Sequence, residues 1–216
     1  TAEQLIIERD LRLLENYNTK YHIALISSKK SLEIIKNAKE RGLKFTVGVS
    51  INNLSLNEND IGDFKTFLKL SPPLRSEEDR LALIDGVKQG LINVIVSDHK
   101  PEDEESKRLT FQQATTGASG IESLLSLGLE LVHNGSCDLN TLINNLTSSP
   151  AKILGIRNGT LSVGSEADIT VFDLDKPWVF KKENIKSKSK NTAIEDRKLQ
   201  GKVEKTFING DLVFSE

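Results

Sequence analysis

Between Glu3 and Glu15 the apolar residues Leu5, Ile6, Leu11, Leu13 and Leu14 recur with a rough 3.6-residue period among charges. This predicts an amphipathic helix with Thr1 placed to cap it. The run Tyr21–Ile26 is short and apolar and is followed by Ser27 and Ser28, the pattern of a buried strand leading to a helix N-cap. That helix is predicted over Lys30–Arg41 and stops at Gly42, which suits the left-handed position after a helix end. Leu43–Val49 is again rich in β-formers. Leu68-Lys69-Leu70 is a shorter apolar piece ended by Pro72-Pro73, which neither a helix interior nor a central strand accepts. Ser76 followed by Glu77, Glu78 and Asp79 opens a helix whose acidic first turn suits the helix dipole. That helix runs to Gly86 or Gln89, and Ile92–Val96 is a fourth strand, closing on Ser97-Asp98-His99.

Four apolar strands about 25 residues apart, with helix-forming segments between them, have the rhythm of parallel βα units. The expected class is α/β, and half of a (β/α)8 barrel fits. Two further helices are predicted, Gly120–His133 and Asp138–Leu154, the second broken around Ser149-Pro150. From Gly159 onward the period becomes two, in Asp168–Phe172 and Val203–Ile208, and Asn209-Gly210 is a strong hairpin signal. The chain therefore divides into a barrel-like segment, 1–158, and a small β module, 159–216. Lys181–Lys190, with five lysines and one glutamate, is expected to be a solvated loop.

Composition narrows the function classes. The 29 Lys and Arg against 31 Asp and Glu give a net charge of -2, which leaves no basic field for nucleic acid. No apolar run approaches the roughly 20 residues of a bilayer span, and no signal region precedes the first helix, so a cytoplasmic protein is expected. A single cysteine, Cys137, forms no internal disulfide. The sequence holds no methionine, so Thr1 is not an initiator position and a processed, cleaved or partial chain is expected.

The order strand, Ser97-Asp98-His99, two helices, then Gly164-Ser165-Glu166-Ala167-Asp168 and Asp173 resembles the amidohydrolase superfamily, in which such a segment leads from a barrel into a small β-sandwich. Five stretches narrow the likeness: Lys69–Asp79, Ser97–Pro101, Gly117–Glu122, Ser149–Lys152 and Ser187–Thr192. Together they look like the second half of a dihydroorotase. The resemblance implies the last four units of a TIM-type barrel plus part of a C-terminal β-sandwich. It also implies an activity, the reversible closure of N-carbamoyl-aspartate to dihydroorotate, at a zinc site on the C-terminal ends of the strands.

Carried over residue by residue, the resemblance exposes losses. The family's histidine ligand at the end of the fifth strand is matched by Leu25 in His22-Ile23-Ala24-Leu25-Ile26-Ser27. The Pro-His-His segment that ends the family's sixth strand is matched by the stretch Ser50-Ile51-Asn52-Asn53, with amides in place of both imidazoles. An isobutyl group cannot coordinate a cation and neutral amides are poor zinc ligands, so no metal or other cofactor is expected. Asp98 matches the general base and metal ligand and is retained, as a vestigial base. Ser71, Arg75, His99 and Gly117 match substrate-contacting positions, with Ser71 standing for an asparagine. Glu102 stands for a histidine near the substrate, which sets a carboxylate against an anion.

The residues themselves leave alternatives open. His22 reads as a hydrogen-bonded core histidine against a ligand. His133 reads as a helix C-terminal cation. Asp98 is a local cap or a base, since without a metal it has no activated water to serve. Arg75 pairs with Asp79 or binds a carboxylate. Cys137 has no histidine neighbour in sequence, and Lys69 reads as surface charge. The resemblance implies a non-catalytic homologue with an assembly or regulatory role alongside aspartate carbamoyltransferase. The alternative is an active cyclic amidohydrolase using Asp98, His99 and groups from an N-terminal half, and a sensor of pyrimidine intermediates is a third reading. Edge strands at Tyr21–Ile26 and Ile92–Val96 call for that missing half of the same protein or another copy of the chain, hence a homo-oligomer.

Overall fold

A computed structural model describes residues 1–17 and 19–216. The first helix, α1 (Ala2–Asn16), buries Ile7 and Leu11 on its inner stripe. Thr1 occupies the N-cap position but its side chain makes no capping bond. The polar work at this end falls instead to Glu3, whose carboxylate accepts from Ser27 N–H (3.1 Å), Ser27 Oγ (2.5 Å) and Ser31 Oγ (2.5 Å). Glu3 thereby ties α1 to the start of α2 (Lys29–Glu40), where Ser28 caps by accepting from Ser31 N–H. Gly42 follows that helix at φ +90, as the sequence predicts.

Strands β1 (His22–Ile26), β2 (Thr46–Ser50) and β3 (Val94–Val96) form a parallel sheet in the order β1-β2-β3, so β1 and β3 are its edges. Between β2 and β3 lie the one-turn α3 (Ile51–Ser55) and the longer α4 (Glu77–Lys88). At the head of α4 the Arg80 guanidinium, seconded by Asn57, holds the Glu77 carboxyl down to about 2. Val47, Val49, Ile35, Ile92 and Leu127 are wholly buried between sheet and helices, and this apolar burial is the main stabilising term.

Three strands, not four, make this sheet. Leu68-Lys69-Leu70 joins no strand among the described residues; Thr66–Leu68 is instead a turn of 3-10 helix. Pro72 and Pro73 lack the N–H that a ladder needs, and the segment is held by other means described below. A short helix α5 (Glu104–Lys107) follows β3. The helix predicted from Gly120 begins with a 3-10 turn at Ile121–Ser123 and continues as α6 (Leu124–His133). The predicted break at Ser149-Pro150 is displaced to Thr147, between α7 (Leu139–Leu146) and α8 (Ser148–Leu154). Pro150 sits in the first turn of α8, where its missing N–H costs nothing.

The remaining strands, β4 (Ile169–Val179), β5 (Lys198–Ile208) and β6 (Asp211–Ser215), form an antiparallel sheet in sequence order. Asn209 and Gly210 both have positive φ (52 and 89), the two-residue turn that matches strand twist. This sheet docks on α6 through Gly201. The Gly201 carbonyl accepts from Ser126 Oγ (2.7 Å) and Trp178 Nε1 (3.0 Å), and Arg197 grips Glu130 of α6 with two bonds (3.1 and 2.7 Å). Burial raises the Glu130 carboxyl pKa, against the pull of that guanidinium. No helix among the described residues is long and apolar enough to cross a membrane.

Candidate functional site

The C-terminal ends of the three parallel strands carry Ser27, Ile51-Asn52-Asn53 and Asp98. Asp98 follows β3 with φ +46, an uncommon backbone state for a residue with a β-carbon. Its side chain is only 7% exposed, and Lys100 Nζ lies 3.1 Å from Oδ1. The same ammonium donates to the Ser71 carbonyl (2.9 Å). Asp98, Lys100 and Ser71 thus form one cluster.

Local backbone fixes Lys100 there. Its N–H donates to Ala118 O (2.9 Å) beside the His99–Ala118 bridge. Gly117, at φ +138, packs so closely that a β-carbon would stand 2.6 Å from Lys100 O. Gly117 N–H also donates to Lys69 O (2.9 Å). Gly117 is therefore demanded by backbone approach, which is a sufficient reason for glycine at this point without any ligand.

The other expected residues are dispersed. His99 Nδ1 accepts from Gly120 N–H (3.1 Å) and Ile121 N–H (3.4 Å), so one face of the ring is spent on the turn before α6. Arg75 does not pair with Asp79. Its Nε donates to Ser27 Oγ (3.1 Å), while Asp79 is held by Ser76 Oγ (2.7 Å) and Lys29 N–H (2.8 Å). Asn53 Nδ2 donates to Pro73 O (3.0 Å), and Asn52 is buried. Leu25 is half-buried and lies outside the apolar core.

His22 takes the core reading: Nδ1 is 2.8 Å from Thr46 Oγ1 and burial lowers its pKa. His133, at the end of α6, has Nε2 3.8 Å from Asp175. The Cys137 thiol is buried, and that burial pushes its pKa up. Two lysines were hidden from sequence reasoning. Lys69 is not loose surface charge but donates to Gln112 O (2.8 Å) and Ala114 O (2.7 Å). Lys107, 2% exposed, donates to Thr115 O (2.7 Å) and Thr66 O (3.3 Å), and desolvation lowers its pKa. The loop Lys181–Lys190 is less free than its charge suggests. Glu122 accepts from Lys186 and Ser187 N–H, and Ser189 Oγ and Asn191 Nδ2 both donate to Glu102 O.

A sequence profile of the amidohydrolase family matches residues 6–213. The chain belongs to the amidohydrolase family. It is 41% identical over 214 residues to the dihydroorotase of Ehrlichia chaffeensis, covering 99% of this chain and 48% of that protein. Among solved structures it superposes on an L-hydantoinase (dihydropyrimidinase) from Arthrobacter aurescens with TM-score 0.92 and 27% identity, covering 97% of this chain and 48% of the other. It also matches the inactive dihydroorotase-like domain of a Chaetomium thermophilum CAD-like multifunctional protein, with TM-score 0.72, 20% identity and coverage of 95% and 54%; that likeness carries the fold alone. This amidohydrolase chain spans about half the length of the relatives it matches.

The zinc that the dihydroorotase resemblance implies does not fit the residues present. Leu25, Asn52 and Asn53 offer no imidazole, and the one matching carboxylate, Asp98, already carries an ammonium 3.1 Å away. Among the described residues no three His, Cys, Asp or Glu side chains converge. Zinc prefers nitrogen and thiolate donors and tolerates no resident cation in its shell.

Proposed function

We propose that residues 1–158 are the second half of an amidohydrolase barrel and 159–216 part of its C-terminal β-sandwich. In this reading the protein is a non-catalytic dihydroorotase homologue of pyrimidine biosynthesis, cytoplasmic, with an assembly or regulatory role alongside aspartate carbamoyltransferase. The remaining strands of the barrel come from an N-terminal half of the same protein or from another copy of the chain. The observation that carries the reading is the state of Asp98. A general base of this kind works on a metal-bound water, and here its carboxylate is held by Lys100 while the neighbouring ligand positions are Leu25, Asn52 and Asn53.

The retained Asp98 and His99 favour a second reading, an active cyclic amidohydrolase with a rearranged site. Against it stand the Lys100 contact and the engagement of His99 Nδ1 by backbone N–H groups. The test uses purified full-length protein. Substoichiometric zinc, dihydroorotate hydrolysis at the buffer rate and co-elution with aspartate carbamoyltransferase are expected. Stoichiometric zinc with turnover would establish the second reading instead.

A further inference from the structure

We infer that Lys100 is the built-in counter-ion of Asp98, a tethered ammonium that takes over the charge-balancing part of an absent metal and frees this fold from any metal requirement. The inference rests on the reading of a degenerate site and adds to it the residue that makes the degeneracy tolerable. A carboxylate with 7% exposure and no compensating charge is costly in a half-dry site. Losing a metal from such a site leaves that cost behind unless another cation arrives. Among the described residues Lys100 is the cation paired with Asp98.

Three independent features place this cation rather than leave it to chance. The Lys100 backbone is pinned by its N–H bond to Ala118 O and by the close approach of Gly117. The ammonium is bound on two sides, by Asp98 Oδ1 at 3.1 Å and Ser71 O at 2.9 Å. Asp98 holds φ +46, a left-handed backbone state that fixes the direction in which its side chain leaves the chain. The lysine side chain remains 46% exposed, so the pair is screened and its effect is moderate in size.

The test is a double-mutant cycle in the full-length protein: wild type, Lys100→Met, Asp98→Asn and the double variant, each melted with EDTA and with added Zn2+. The wild-type Tm is expected to be the same in both solutions. Lys100→Met should lower Tm by about 2–4 °C, and adding Asp98→Asn should recover at least half of that loss, because removing both charges leaves neither unpaired. Additive shifts in the double variant, or a wild-type Tm that falls on chelation, would overturn the inference. Should Lys100→Met fail to accumulate as folded protein, soluble yield replaces Tm: recovery in the double variant supports the pair and continued loss overturns it. Dihydroorotate turnover by the wild type would sink the non-catalytic reading without touching this coupling, so the two failures are distinguishable.

Discussion

Replacing Gly201 with alanine should loosen the β module from the barrel segment. Gly201 holds φ +94, and a β-carbon built there would lie 2.3 Å from Leu129 Cδ1. Carbon atoms meet comfortably at about 3.5–4.0 Å, so the overlap exceeds 1 Å, and Leu129, fully buried on α6, must shift to relieve it. The backbone term is about 1–2 kcal/mol for a residue with a β-carbon in this region, and overpacking adds about 1–3 kcal/mol. Alanine recovers about 0.4–1 kcal/mol through the unfolded chain, leaving a net loss of about 1–4.6 kcal/mol. Gly164 provides the control, since it holds φ +88 with nothing within 4 Å of its added β-carbon. Thermal unfolding of the full-length protein should therefore show a Tm loss for Gly201→Ala at least twice that for Gly164→Ala. Equal losses would mean that the contact with Leu129 is not formed and that the module docks differently.

Two further outcomes are expected. Lys107→Ala should lower stability by about 1–3 kcal/mol, because it removes a side chain that is 2% exposed and with it the bonds from its ammonium to the Thr115 and Thr66 carbonyls; unchanged urea unfolding would contradict the buried placement. His22 has a pKa lowered by burial, so the folded state prefers the neutral ring. Its contribution is whole above the unfolded value near 6.5 and is lost as pH falls through the folded pKa. The Tm advantage of wild type over His22→Asn should accordingly shrink between about pH 7.5 and pH 5, and a constant difference would refute the burial argument.

Much of the fold was legible because its signals are local. The Ser28 cap, Gly42 after α2 and the Asn209-Gly210 turn all report on residues within a turn or two of themselves, whereas the stripe read on α1 holds only in part: Leu11 is buried, but Leu5, Ile6 and Leu13 are exposed and Ile7 is the other buried residue. The errors fall where a distant partner decides. Thr1 looked like a cap, but the strong acceptor at that helix start is Glu3, which answers to Ser27, Ser28 and Ser31. The break near Pro150 was placed by the proline, whereas the first turn of α8 accommodates it and Thr147 breaks the helix. For the site, Asp98 and the lost ligand positions were readable through the resemblance, but the partner of Asp98 was not, although it stands only two residues further on.

The least legible part of the molecule is the segment 66–75, and the reason links fold to site. Apolar character at Leu68 and Leu70 suggested a strand, yet the prolines deny it a ladder, and lysine ammonium groups bonded to backbone carbonyls take the ladder's place. Lys107 reaches Thr66 O and Lys100 reaches Ser71 O, while Lys69 reaches outward to Gln112 O and Ala114 O. Each pin joins this segment to the chain between Lys100 and Gly117, the stretch that follows Asp98. Periodicity cannot report such bonds, because the acceptors are main-chain atoms that every residue type provides. The consequence is an ordering of causes at the mouth of the site. The segment is positioned by lysines before any ligand arrives, so Lys100 serves at once as a brace for Ser71 and as the cation facing Asp98. Removing its charge must then disturb the carboxylate and the segment together, whereas removing the Asp98 charge alone leaves the brace to Ser71 in place.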